Sequence, residues 1–132
     1  MKKHGILNRE IASILARLGH TDTIMIADCG LPIPEETRCI DVSLNLGTPD
    51  LLTVLRAVTG DMKIERVTLA EEIQANNPTV HEHISDCLAE IPKYYTPHEN
   101  LKKQSKDSKV IIRTGEATPF SNVLLQSGVI FS

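Results

Sequence analysis

The chain has 132 residues, a net charge of -3 and only 3% aromatic residues, with no tryptophan. That length suits one domain, expected over residues 1–132, burying roughly two thirds of its unfolded surface. No basic block is present to follow a nucleic-acid backbone or an anionic lipid, and no segment approaches the roughly 20 apolar residues of a spanning helix, so neither nucleic acid nor membrane is expected as a partner.

The opening "MKKHGILNRE" has lysines but lacks the apolar run and small-residue cleavage site of a secretory leader, which makes a cytoplasmic location the expectation. Cys29, Cys39 and Cys87 form an odd set without zinc-knuckle spacing and are expected as reduced thiols. Asn8 then precedes "REIASILARLGH", where Ile11, Ile14, Leu15 and Leu18 recur at helical spacing; this predicts an amphipathic helix capped by Asn8 and stopped by Gly19. "TIMIA", residues 23–27, reads as a buried strand closed by the turn signal "DCG". "LPIP" at 31–34 must be extended loop, because its prolines remove donors and restrict the residues before them.

"RCIDVSL" is a second strand, and "TPDLLTVLRAVTG" a second helix, with Thr48 as cap, Pro49 at the first helical position, Leu51, Leu52, Leu55 and Val58 on one face, and Gly60 at its end. "ERVTLAEE" follows as strand. "NNPTVHEHISDCLAE" is again a helix, with Val80, Ile84, Cys87 and Leu88 inward, and "KYYT" a short strand before the polar, helical "PHENLKKQSKDS". Two β-rich runs, Val110 to Thr114 and Asn122 to Gln126, flank the loop "TGEATPFSN". The alternation predicts an α/β layered domain, a mainly parallel sheet flanked by helices on both faces, with the tail completing the sheet or meeting a neighbour.

In such sheets ligands bind beyond the carboxyl ends of the strands. Those ends offer Asp28, the "AEE" of 70–72, the Thr96-Pro97-His98 corner and the Arg113 to Asn122 loop. His20 enters before the first strand, at the opposite pole of its own subunit, so a shared pocket requires a longer reach or a neighbouring subunit. As a residue type, His20 suits a helix C-terminus or general acid and base work, since an imidazole exchanges protons near neutral pH. Asp28 suits a turn former as well as a site group. His98 fits the start of a surface helix as well as a ligand contact. His81 and His83 stand two apart on a helix, hence on different faces, and make no HExxH-type zinc pair. Neither a nucleotide-binding glycine pattern nor a GxSxG elbow is present. The hydroxyls and amides of "RTGEATPFSN" suit a hydroxyl-rich ligand, and the expectation is an acid/base site for a neutral polyol with no cofactor and no metal.

"KKHGILN", "LGHTDTIMIADCGLPIP", "AEEIQANNP", "TPHE" and "IRTGEATPFSN" occur in order along essentially the whole chain, and together they resemble the D-ribose pyranase family, relatives of the L-fucose mutarotases. The resemblance implies cofactor-free interconversion of the β-pyranose and β-furanose forms of D-ribose, feeding ribokinase. It further implies that His20 is the proton donor, that Asp28, His98, Phe120, Ser121 and Asn122 contact sugar, and that five-membered rings stack as a homodecamer with sites at subunit boundaries. Many members carry Ala in place of Cys29 and Tyr in place of Phe120, so here ring or backbone contact replaces any phenolic hydrogen bond. Two other functions fit the same residues: a mutarotase for fucose or another sugar, and a non-catalytic sugar-binding accessory of ribose transport.

Overall fold

In the computed structural model, residues 1–131 are described; Ser132, the last residue of the expected domain, lies outside them. Helix α1, Arg9–Arg17, is capped as its sequence predicts: the Asn8 side chain accepts a hydrogen bond from the Ile11 N–H at 3.0 Å. Strand β1 is Thr23–Ala27 and β2 is Cys39–Asp41, with the proline-rich stretch between them left as loop. Helix α2 spans Leu51–Thr59, and its cap is Asp50, whose carboxylate accepts from the Thr53 N–H at 2.8 Å. This corrects the expected Thr48 cap and Pro49 start: the helix begins at Leu51, and Thr48 belongs to the turn before it, where its N–H donates to the Asn45 carbonyl at 3.0 Å. Asp50 is the better cap because a carboxylate meets the orphan N–H groups and the positive end of the helix dipole together.

Strand β3 is Ile64–Ala70, followed by a single turn of helix, α3 (Ile73–Asn76), which the apolar pattern was too short to announce. Helix α4 is Pro78–Cys87, β4 is Lys93–Thr96, α5 is His98–Ser105, β5 is Val110–Arg113 and β6 is Val123–Ser127. The six strands form one sheet in the order β2-β5-β1-β6-β3-β4. The pairs β1/β5, β2/β5 and β3/β4 are parallel, whereas β6 runs antiparallel to both β1 and β3. The tail therefore completes the sheet at its centre. Its direction follows from the connection: Thr114 to Asn122 is shorter than the dozen or so residues of a parallel crossover.

Alternation along the strands fills both faces. Ile24, Ile26, Val67, Leu69, Ile112 and Leu125 join residues of α1, α2 and α4 in the larger core, while Met25, Ala27, Ile111 and Leu124 meet Leu101 of α5 on the other side. Each fully buried aliphatic residue, such as Leu125, contributes roughly 1.5–3 kcal/mol relative to exposure. The consequence for function is positional. All parallel strands end at one pole, and antiparallel β6 begins there, so Asp28, His98 and Asn122 arrive at the same rim from strands and loops far apart in sequence.

Candidate functional site

Asp28 and Asn122 are locked as a pair. The Asp28 N–H donates to Asn122 Oδ1 at 2.9 Å, and Asn122 Nδ2 donates back to Asp28 Oδ2 at 3.1 Å. Asp28 Oδ1 also accepts from the Gly30 N–H at 3.0 Å, so Asp28 is a turn former and a rim carboxylate at once. Burial pushes its carboxyl above the ordinary value of 3.8, opposed by hydrogen bonds from Gly30, Asn122 and Leu31 and by the nearby charge of His98.

His98 is the first residue of α5, where its backbone N–H is one of the helix's orphan donors. Glu72, in the turn after β3, takes that donor with both carboxylate oxygens, at 2.9 and 3.1 Å. The neighbouring Pro97 offers no side-chain cap, so a carboxylate from a distant loop holds this helix start instead. The His98 ring stands edge-on to Phe120, centroids 5.1 Å apart, and its Nδ1 is buried without a hydrogen-bond partner. A buried ring nitrogen with no partner is costly unless a ligand hydroxyl meets it. Phe120 itself has φ +58°, a left-handed conformation uncommon for a bulky residue and typical of over-determined functional turns.

The polar loop expected to face ligand engages most of its side chains with other parts of the chain. Thr114, Glu116, Ser121 and Asn122 are all buried, although polar groups such as these suit a hydroxyl-rich ligand. The reason is satisfaction: Thr114 Oγ1 donates to the Ala27 carbonyl at 2.8 Å, and Glu116 accepts from the Leu51 N–H at 3.0 Å and from Thr118 Oγ1 at 2.7 Å. Asn77 Nδ2 lies 2.9 Å from Thr118 Oγ1, the Pro119 carbonyl and Ser121 Oγ, pinning the turn that presents Phe120. The Ser121 hydroxyl is thus engaged within the loop. At Gly115, any Cβ would fall 2.5–2.6 Å from backbone atoms of Asn45 and Thr48, so only glycine permits this approach.

His20 stands elsewhere. It follows the end of α1, where the Thr21 N–H donates to the Ser127 carbonyl at the far end of β6. Its Nε2 is 2.8 Å from Glu65 Oε2 at the start of β3, and Gln126 Nε2 donates to Glu65 Oε1 at 2.6 Å. Thus the imidazole binds a neighbouring strand instead of capping α1. The five residues of β1 separate it from Asp28, a span of about 17 Å at ~3.3 Å per residue. Within one chain His20 does not share a pocket with Asp28, His98 and Asn122. Glu65 and Gln126 stand in no motif that sequence reading could isolate; Glu72, Asn77 and Glu116 lie within "AEEIQANNP" and "IRTGEATPFSN", but nothing in those segments marks which distant groups they bind.

His81 pairs with Tyr95, Nε2 to phenolic oxygen 2.7 Å. Among the described residues no three His, Cys, Asp or Glu side chains are grouped as metal ligands would be, and no helix is long and apolar enough to cross a membrane. Cys29, Cys39 and Cys87 are free thiols.

Comparison with known proteins places these features in company. The model of the RbsD / FucU transport protein family matches residues 1–130. A D-ribose pyranase from Bacillus cytotoxicus is 56% identical over 131 residues, 99% of this chain and 100% of that protein. One from Halalkalibacterium halodurans is 55% identical with the same coverage. Among solved structures, Bacillus subtilis RbsD complexed with D-ribose superposes with a TM-score of 0.97 at 46% identity, covering 99% of this chain and 100% of that one. The fucose mutarotase of Streptococcus pneumoniae, solved with L-fucose, shares the fold, with a TM-score of 0.84 at 19% identity over 98% and 100% of the two chains.

Proposed function

The chain belongs to the RbsD / FucU transport protein family, and from that membership we infer that it is a D-ribose pyranase, an isomerase that interconverts the pyranose and furanose rings of D-ribose. The observation that carries this reading is end-to-end identity above one half with D-ribose pyranases. The metabolic role we assign is supply of the furanose form to ribokinase in the cytoplasm.

Ring exchange needs a proton taken from the anomeric hydroxyl and one delivered to the ring oxygen; the open aldehyde then turns and recloses through a different hydroxyl. One group that titrates near neutral pH can serve both halves in turn, and a positioned acid/base group typically contributes about 10²–10⁴-fold. In our reading His20 protonates the ring oxygen. Asp28 accepts from a sugar hydroxyl, already aimed by Asn122 and Gly30; His98 Nδ1 meets another hydroxyl; and Phe120 lays an apolar ring against the sugar. Asn122 and Ser121 hold this rim in shape, Ser121 through Asn77.

Because His20 and Asp28 of one chain lie at opposite poles, the working site combines two subunits. Exposed apolar residues support such a contact: Ile130 and Phe131 (92% and 75% exposed) follow β6 at the His20 pole, and Leu44 and Leu46 (78% and 81%) lie in the loop after β2 at the Asp28 pole. Two different patches that complement each other make a head-to-tail contact, which closes into rings. Stacking of two five-membered rings into a homodecamer is the assembly we propose.

Proton NMR saturation transfer tests the chemistry. Irradiating the β-pyranose anomeric signal of D-ribose should attenuate the β-furanose signal with wild-type protein and not with His20→Ala. Transfer confined to α and β anomers of one ring size would mark a mutarotase, and ribose binding without transfer a sugar-binding accessory; either outcome overturns the pyranase reading.

A further inference from the structure

His20 reaches across the sheet's end to a carboxylate that is itself anchored. Glu65 receives His20 Nε2 on one oxygen and Gln126 Nε2 on the other, at 2.8 and 2.6 Å. A carboxylate only accepts, so each partner must present a proton: an amide N–H from Gln126 and an N–H at Nε2 from His20. Hydrogen bonds from Gln126 and His20 hold the Glu65 carboxyl below its ordinary range, which keeps it an acceptor. A neutral imidazole carries one ring proton, and with that proton on Nε2 its lone pair is on Nδ1.

The backbone is shaped for this contact. In the β3/β6 ladder Ile64 pairs with Ser127 and Arg66 with Gln126, so Glu65 is the extra residue of a bulge. Bulges re-aim a side chain, and here the re-aimed residue is the one that meets both His20 and Gln126. Gly128 leaves the room: a Cβ there would stand 3.2 Å from the Glu65 Cβ, tighter than ordinary contact.

We propose that Glu65 and Gln126 are positioning residues for ring exchange, fixing the His20 imidazole so that Nδ1 is the nitrogen that takes and gives the substrate proton. This rests on the reading of His20 as the proton donor. In ring opening the imidazolium donates its Nδ1 proton to the sugar ring oxygen, whose bond to the anomeric carbon breaks as that carbon's hydroxyl proton departs to solvent and its C–O becomes the carbonyl. Reclosure reverses the traffic, and the Nε2 proton stays on the imidazole, donated to Glu65, throughout. Carboxylates that orient a metal-bound imidazole account for about ten- to hundredfold of activity, and the same scale is expected for this half-exposed pair.

The test uses the full chain labelled with ¹⁵N at histidine, as wild type, Glu65→Ala, Glu65→Gln and His20→Ala. For neutral His20 the wild type should show an unprotonated Nδ1 and a protonated Nε2, whereas Glu65→Ala should show shifts averaged between the two tautomers. Exchange kinetics should show kcat lowered about ten- to hundredfold in Glu65→Ala with KM within about twofold of wild type, and partial recovery in Glu65→Gln, which retains an acceptor beside Nε2. A neutral wild-type ring protonated at Nδ1 overturns the proposal. So does a Glu65→Ala protein with kcat within about twofold of wild type, or one in which the loss lies in KM, while His20→Ala is inactive. Full exchange by His20→Ala instead overturns the assignment of His20 itself, a failure the same experiment keeps distinct.

Discussion

If the working site draws His20 from one subunit and Asp28 from the next, two inactive proteins should make an active one. His20→Ala leaves the Asp28 rim intact, and Asp28→Ala leaves the His20–Glu65–Gln126 arrangement intact, because about 17 Å of strand lies between them and they share no hydrogen-bond partner. In oligomers assembled at random from equal amounts of the two, a given site is whole only when a His20→Ala chain supplies the Asp28 side and an Asp28→Ala chain supplies the His20 side. Each condition is met half the time, so about one quarter of the sites, and about one quarter of the wild-type exchange rate, should return. Ring size does not alter the fraction. The assay is saturation transfer on D-ribose with each variant alone, with the two co-expressed, and with the double variant co-expressed with wild type as a control for assembly. A co-expressed pair no more active than its members, in oligomers shown to contain both chains, would refute the shared site.

Other perturbations have equally definite outcomes. Gly115→Ala forces a Cβ to within 2.5–2.6 Å of three backbone atoms, and should destabilise the fold by about 1–3 kcal/mol in denaturant melts while detaching the Asn45–Thr48 turn; unchanged stability would contradict the packing described. Asn77→Ala removes the amide that pins Thr118, Pro119 and Ser121; a loss of about 1–3 kcal/mol together with a raised KM for ribose is expected, and an unchanged KM would show that the Phe120 turn stands without it. The raised Asp28 pKa means that the folded chain holds this proton more tightly than the unfolded chain does, so the contribution is present below pH 3.8 and is lost as pH rises through the folded value. The stability difference between wild type and Asp28→Asn, read from melts, should fall as pH rises across that window and level off on either side of it; a difference independent of pH throughout would remove the case for a perturbed carboxyl.

Local chemistry made most elements legible. The helical spacing of Ile11, Ile14, Leu15 and Leu18 behind Asn8, and the apolar run of residues 23–27 before "DCG", depend on neighbours within a few residues, and both became the elements expected. Thr-Pro and Asp both signal the start of α2, and the choice of Asp50 rests on a turn held from far along the chain, where the Gly115 N–H donates to the Pro49 carbonyl at 2.8 Å. "RTGEATPFSN" reads as ligand-facing because its groups are polar. Whether a polar group is buried depends on whether partners await it, and those partners, Ala27, Leu51 and Asn77, come from three other elements.

The site divides the same way. Residue types and strand direction are enough to gather Asp28, the His98 corner and the loop to Asn122 at the carboxyl ends of the strands, and to put His20 at the other pole. Ordered motifs over the whole length leave little freedom and settle the family as well. Packing of the whole chain is needed to return β6 antiparallel through the centre of the sheet, to lock Asp28 with Asn122, to hold the start of α5 with Glu72, and to bring Glu65, itself held by Gln126, to His20. The physical reason is one of range: caps, turns and apolar periods are settled within a turn or two of chain, whereas a hydrogen bond between side chains dozens of residues apart is set by how strands align and where a bulge re-aims one residue.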